Sequence, residues 1–254
     1  MIGIMGAITE EIGAIVAEMG TDTTVNVKGM RRYHSGTLWS VPVVAVYSRI
    51  GKVAAASTTT HLIADYHVDS IIFTGVAGGV DPTLNIGDIV VAGDLYQHDM
   101  DARPLFDRHE IPLLGTSSFS TTHSLRQHCL LAARQFLSED LSSAIPESTL
   151  AKFGISQPKA LEAAIASGDK FFADRLETAE LGRRLPVACV EMEGAAVAQV
   201  CHEYAVDYSI IRTISDSANL HAPVDFQSFI QDVAAIYSHG IIRRVIVGAD
   251  RTTQ

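Results

Sequence analysis

Three acidic stretches follow apolar runs of strand length: Glu10-Glu11 after Ile2–Ala7, Glu191-Met192-Glu193 after Pro186–Val190, and Asp216 after Tyr208–Ile214. In a sheet flanked by helices, ligands settle at strand ends, so acids remote in sequence can meet in one crevice without a cofactor motif. An acid that protonates a leaving group, set opposite a carboxylate that activates water, is the equipment for cleaving a glycosidic bond.

Each candidate also has an ordinary structural reading. Asp216 stands just beyond a buried strand with Ser215 and Ser217 beside it, placed either to donate a proton or to cap a turn. Glu191 and Glu193 point the same way in an extended segment and diverge by about 200° in a helix. At a strand-to-helix junction one can face a crevice and the other a neighbour, or both can simply favour the positive end of the helix predicted over Gly194–Tyr204. Met192 between them offers a soft apolar surface for a sugar face. Glu11, one turn before Ile15, can face inward as a water-activating base, whereas Glu10 is assigned to solvent. Phe171 and Phe172, after Ser167-Gly168-Asp169, can stack on a flat base or fill core. Arg212 lies inside an apolar strand, where an unpaired charge is costly, so it must meet a carboxylate or a ligand. His98-Asp99-Met100-Asp101 has no further histidine or acid nearby at ligand spacing, so no metal site is expected.

The elements that must position these residues are visible as alternating patterns. Apolar runs over Ile2–Met5, Val41–Tyr47, Ser70–Phe73, Asp88–Ala92, Ala163–Ser167, Val187–Val190 and Ser209–Thr213 predict strands, several buried on both faces. Between them, Glu10–Met19, Lys52–His67, Ser124–Leu137, Ala173–Leu185, Gly194–Tyr204 and Phe226–Val247 predict helices. Strand and helix in alternation imply a three-layer α/β (αβα) domain. Gly75-Val76-Ala77-Gly78-Gly79 is read as a turn that lets backbone approach a ligand; neither a dinucleotide fingerprint nor a Walker lysine accompanies it. Tyr96–Ser120, with Pro104 and Pro112, is either a lid or a packed irregular crossing.

A chain of 254 residues with 47% hydrophobic and 19% charged content can bury one large core, and a single domain over residues 1–254 is expected. Twenty-nine acidic residues against nineteen basic give a net charge of −10, which argues against nucleic acid and anionic membranes as partners. Cys129, Cys189 and Cys201 are odd in number and lack metal spacing, as expected of reduced thiols in a cytoplasmic protein. No apolar stretch approaches the roughly 20 residues of a membrane-spanning helix.

Taken together, the order and spacing of Gly3–Ala7 with Glu10-Glu11, Ile50–Ala55, Thr74–Gly79, Gly87–Val91, His98–Asp101, Ser167–Asp169, Val190–Glu193 and Ile214–Asp216 resemble the nucleoside phosphorylase-like superfamily, and within it the 5′-methylthioadenosine/S-adenosylhomocysteine nucleosidases. The resemblance spans almost the whole chain. It implies a central mixed, twisted sheet between helices, a homodimer, an adenine nucleoside as substrate with water as co-substrate, and no cofactor or metal. It also implies roles: Glu11 as the base for water, Asp216 as the acid at adenine N7 with Ser215 supporting it, and Glu193 with Met192 at the ribose. Arg212 would lie near water and ribose, Phe171 would stack on adenine, and the backbone of Phe172 would read its edge. Glu191 belongs to the same substrate-binding segment. Ile50, Phe226 and the loop around Ala102–Leu105 would line the base and 5′-substituent pockets. Val76 replaces a serine common in the Gly-rich segment, removing a hydroxyl near the water, Arg49 replaces a small residue before Ile50, putting a cation near the base pocket, and Gln97–Gly115 differs where the 5′-group should lie, so the preferred 5′-substituent stays open. A phosphate-dependent phosphorylase, a nucleosidase for aminodeoxyfutalosine or 5′-deoxyadenosine, and a non-catalytic nucleoside binder are the alternatives.

Overall fold

The fold is built on a ten-stranded mixed sheet whose centre closes on itself. The computed structural model describes residues 1–216 and 227–249. The strands are β1 Ile2–Gly6, β2 Thr24–Lys28, β3 Arg31–Leu38, β4 Val41–Tyr47, β5 Ser70–Gly79, β6 Ile89–Gln97, β7 Phe119–Ser120, β8 Ala160–Ser167, β9 Cys189–Glu191 and β10 Asp207–Asp216. The order is β10-β6-β8-β9-β5-β1-β4-β3-β2, β7 pairs with β6, and β10 also pairs with β5. Strands β5, β10, β6, β8 and β9 therefore form a ring, from which β1, β4, β3 and β2 extend as a wing. The mixture of directions is explicit: β5 and β10 run parallel, whereas β10 with β6 and β5 with β9 are antiparallel.

Helices cover both faces: α1 Thr9–Glu18, α2 Lys52–Tyr66, α3 His123–Gln135, α4 Glu147–Lys152, α5 Arg175–Arg184, α6 Gly194–Tyr204 and α7 Ala235–Ala249. Wide π-type turns extend α3 through Phe136–Asp140, followed by a helical turn at Leu141–Ala144, and lead into α7 through Ile230–Ala234. Alternation along buried strands sorts the core into layers. Ile4, Val43, Ala45, Ile72 and Val91 pack with α1, α3 and α7. Their neighbours Met5, Val44, Val46, Ile71, Phe73 and Val90 pack with α2 and α6. This is the expected three-layer arrangement. Among the described residues, no helix is long and apolar enough to cross a membrane.

Two departures from the sequence reading have physical causes. The hairpin β2–β3 was not anticipated because its segments are largely exposed and polar, with Tyr33 and Leu38 the fully buried side chains of β3. Its turn is Gly29-Met30, both left-handed (φ 52° and 62°), the geometry of a two-residue type I′ hairpin. Methionine at the second position does not advertise that turn. Secondly, Thr74–Gly79 is strand rather than turn: β5 stays paired with β10 as far as Gly78 and with β9 at Gly78 and Gly79. Of the two readings of the stretch beyond β6, the structure takes the packed crossing, with Ile111 and His109 buried, the His109 N–H donating to the Met100 carbonyl at 3.0 Å, and Ile111 bridged to Thr116.

Gly240 in α7 shows how tightly the helical layer closes. A Cβ there would lie 2.3 Å from the ring of Phe136, which is itself buried and packed edge-on against Tyr237. Glycine to alanine inside a helix ordinarily stabilises by about 1 kcal/mol. Here the steric overlap reverses the sign, and Gly240→Ala is expected to lower unfolding free energy by about 1–3 kcal/mol in urea titrations; a gain in stability would show that the α3–α7 contact relaxes without cost.

Candidate active site

At the mouth of the sheet ring one guanidinium sits among three carboxylates. Arg212, on β10, is 1% exposed and opposes Gly75 in the β5–β10 register. Its Nη2 lies 2.6 Å from Glu191 Oε2 and 4.0 Å from Glu193 Oε2, and its Nε donates to Glu191 Oε2 at 3.2 Å. The flat cation rests over the Phe73 ring, 4.1 Å from its centroid, an attraction that strengthens away from water. Gly75 makes room: a Cβ there would come within 2.6 Å of Glu11 Oε1 and 3.0 Å of Arg212 Nη1.

Glu191 ends β9 and spends its oxygens internally. Beyond the ion pair, it accepts the backbone N–H groups of Glu193 (3.1 Å) and Gly194 (2.8 and 3.0 Å) at the start of α6, and the hydroxyl of Ser167. Ser167 Oγ in turn accepts the Ala195 N–H at 2.7 Å. Thus Glu191 satisfies the open N-terminus of α6 and neutralises Arg212 at once.

Glu11 is the third residue of α1, and its Oε2 accepts the backbone N–H groups of Ala7 and Ile8 (3.2 Å to the latter), the glutamate half of a capping box. Glu11 is 4% exposed. Burial pushes its pKa upward, opposed by Arg212 and by the backbone N–H groups of Ile8, Ala7 and Val76. Glu193 accepts the Gly51 N–H at 2.9 Å. Burial, with the neighbouring charge of Glu191, raises its pKa well above the ordinary 4.5, against the pull of Arg212. For both Glu11 and Glu193 burial is the larger influence, and Arg212, paired directly with Glu191, offsets it only in part.

Glu11, Glu191 and Glu193 line a crevice of about 140 Å³ together with Ala7, Ile8, Ile50, Val76–Gly78, Lys170–Phe172, Val190, Met192 and Ser215. Two larger hollows, of about 760 and 950 Å³, lie elsewhere and include none of these carboxylates. Ten of the twelve sequence-derived candidates are thereby placed at or directly behind one crevice. Phe171 is 46% exposed at its rim, Phe172 packs edge-on to His98, and Ser215 is buried. Arg212 stands behind the crevice wall. Asp216 ends β10 opposite Gly78, but its side chain lies outside the described residues, as does Phe226. Glu10 is exposed, as expected. Asp99 and Asp101 are held by Lys52 Nζ (2.7 Å) and Arg103 Nη2 (2.6 Å). Sequence reasoning missed Ser167 and Gly51 as partners of the two glutamates; Ser167 closes a predicted buried strand, where a hydroxyl needs a partner, and that was the available signal.

The Phosphorylase superfamily profile matches residues 1–246. The chain belongs to that superfamily. This phosphorylase-superfamily chain is 36% identical over 230 residues, 90% of its length and 89% of the relative's, to 5′-methylthioadenosine/S-adenosylhomocysteine nucleosidase of Shewanella baltica. It is similar in structure to the Neisseria meningitidis nucleosidase of that name in complex with methylthio-immucillin-A (TM-score 0.84, 28% identity, 96% and 97% of the two chains covered). It is also similar to futalosine hydrolase of Helicobacter pylori (TM-score 0.81, 30% identity, 97% of each chain covered).

A carboxyl whose folded pKa is raised binds its proton more tightly in the native state, so the stability it contributes is full below pH 4.5 and is lost as the pH rises through the folded value. Glu193→Gln keeps an acceptor for Gly51 and removes the titration. Without ligand, the variant is expected to gain on the parent protein from pH 4.5 upward, reaching on the order of 2 kcal/mol by pH 8 in denaturant titrations. Parallel pH profiles for the two proteins would mean that Glu193 is ionised without penalty.

Proposed function

We propose that the protein hydrolyses the N-glycosidic bond of 5′-thio-substituted adenine nucleosides, 5′-methylthioadenosine and S-adenosylhomocysteine, releasing adenine and the 5-substituted ribose. The observation that carries this reading is the carboxylate-lined crevice. Glu11, anchored through one oxygen by two backbone N–H groups, turns its Oε1 toward the space in front of Gly75. A water there meets a carboxylate whose pKa burial raises, which strengthens it as a base. Glu193 is set to take ribose hydroxyls, with Met192 beneath the sugar, and Phe171 to stack on the base. Asp216, at the end of β10, is assigned the proton that adenine N7 needs before the base can leave, with Ser215 supporting it. Glu191 and Arg212 are positioning residues: they hold the α6 N-terminus and set the charge felt by Glu11 and Glu193. Oxocarbenium character on the sugar is stabilised by the surrounding carboxylates.

Water rather than phosphate is favoured by the same charges. Lys170, the cation among the described crevice-lining residues, is paired with Glu177 at 2.8 Å, and Arg212 is taken by Glu191. A phosphate dianion would face three carboxyl groups with no uncommitted basic partner among them. Likeness to a futalosine hydrolase favours, as a second reading, the same chemistry on a nucleoside with a different 5′ arm. A homodimer fits the mostly exposed apolar side chains Val53, Leu105 and Leu113, which a second copy would cover. The buried free thiols of Cys129, Cys189 and Cys201 fit a reducing, cytoplasmic setting.

The expected products are adenine and free 5-methylthioribose from 5′-methylthioadenosine in phosphate-free buffer, with no change in the sugar product when phosphate is added. A sugar phosphate would establish phosphorolysis instead. Glu11→Gln and Asp216→Asn are each expected to lower kcat by about 10²–10⁴-fold while leaving nucleoside binding measurable by calorimetry. Near-normal turnover in either variant would remove that residue from the proton inventory.

A further inference from the structure

The segment that carries Phe171 is irregular, yet it is fastened along its length. Strand β8 stays in register with β6 as far as Ser167 opposite Gln97, and the Ser167 carbonyl accepts the His98 N–H at 3.0 Å. Gly168 then donates its N–H to the Glu191 carbonyl at 3.2 Å and lies against the buried His98 ring, where a Cβ at residue 168 would come within 2.2 Å of Nε2. The same ring meets Phe172 edge-on, with centroids 5.2 Å apart.

Between these contacts Asp169 closes a circuit. Its N–H donates to Asp99 Oδ2 at 3.0 Å, and its Oδ1 accepts the Lys52 N–H at 2.8 Å. Asp99 Oδ1 pairs with Lys52 Nζ at 2.7 Å, and that ammonium also donates to Gln97 Oε1 at 3.1 Å. One such contact at a rim contributes little, but a closed set fixes both ends of each side chain. Burial would raise the Asp99 carboxyl, yet Lys52 and the Asp169 N–H hold it below its ordinary range, so it stays charged. Lys52 opens α2, and Gly51 ahead of it has no side chain to cap the helix. Asp169 therefore supplies the anion at that N-terminus from 117 positions away. The preceding N–H, that of Gly51, holds Glu193 at 2.9 Å. Adjoining N–H groups thus grip one carboxylate from the Phe171 loop and one from the ribose side.

From this circuit we infer that Asp169, with Asp99 and Lys52 behind it, is a positioning residue that fixes the Phe171–Phe172 segment at a set distance from Glu193. The inference rests on the nucleosidase reading, which places the base at Phe171 and the ribose at Glu193. Base and ribose are joined by a single bond, so their two pockets have to keep one separation, and the start of a helix is a rigid ruler for it. Stacking on the base acts alike before and during bond cleavage, so loosening the segment weakens binding more than chemistry.

The test is a double-mutant cycle read in kcat and KM with 5′-methylthioadenosine. Asp169→Ala is expected to raise KM about tenfold and to change kcat by less than about threefold. With Phe171→Ala already in place, Asp169→Ala is expected to add little, because both act through one stacking contact. Lys52→Met is expected to raise KM as well, and Lys52→Arg, which keeps the cation, to hold it near the parent value. An unchanged KM in Asp169→Ala, a loss carried by kcat alone, effects of Asp169→Ala and Phe171→Ala that multiply, or equal rises in Lys52→Arg and Lys52→Met would overturn the inference. Amide hydrogen exchange reads the same circuit without a ligand. Asp169→Ala is expected to speed exchange at Gly51–Val53 and at Phe171-Phe172 while β5 and β10 keep their protection; unchanged exchange in both segments, or uniform acceleration throughout, would refute the circuit. Should the parent protein release adenine from no nucleoside, the nucleosidase reading fails and the exchange pattern alone decides whether Asp169 fixes the segment.

Discussion

The site depends on placing one permanent cation, Arg212, where three glutamates converge beneath the surface of a closed sheet. An isolated guanidinium inside apolar strands would be prohibitively costly, and so would any of the carboxylates alone. Glu191 makes the direct pair and, by taking the first N–H groups of α6, ties that helix to β10. What remains is a shortage of positive charge felt by Glu11 and Glu193. Burial raises both carboxyls, with the charge of Glu191 adding to it at Glu193, and Arg212 offsets this only in part, which leaves two groups at the crevice wall able to exchange protons and accept sugar hydroxyls.

The sheet topology is what lets sequence-distant residues share this cation. Strand β10 sits between β5 and β6 and closes the ring, bringing the end of β5, the end of β9 and the middle of β10 together. Gly75 is the local condition for that convergence, because any side chain there would occupy the space of Glu11 and Arg212. Helix α1 supplies Glu11 from the neighbouring wing, directly after β1. Glu191 and Arg212 thus meet on strands that run in opposite directions, β9 antiparallel and β10 parallel to β5, because the ring closes around them.

Much of this was legible in the sequence, and the parts that were not share a cause. Buried strands such as Val41–Tyr47 and the helix Gly194–Tyr204 announced themselves because burial on one or both faces imposes a periodic apolar pattern. Arg212 was legible for the opposite reason, as a charge in an apolar run that had to find a partner. The hairpin β2–β3 was hidden because an exposed edge has no such pattern, and the glycines of β5 read as a turn because propensity carries no information on cross-strand pairing. Ser167 and Gly51 were missed as partners of Glu191 and Glu193 because hydrogen bonds across 24 and 142 positions of sequence leave no local trace. Arg31 and Arg32 on β3 and Arg49 after β4 come from two places in the chain, and only the fold shows that they line one hollow.

The central claim is that a single arginine leaves Glu11 and Glu193 poised to hold protons in the unliganded protein. Carbon-13 NMR of the side-chain carboxyls, titrated in the parent protein and assigned with Glu11→Gln and Glu193→Gln, reads this directly. The account predicts that both resonances titrate above the ordinary glutamate range. Carboxyls that are fully ionised through and below pH 4.5 would contradict it, because Arg212 would then be compensating all three charges.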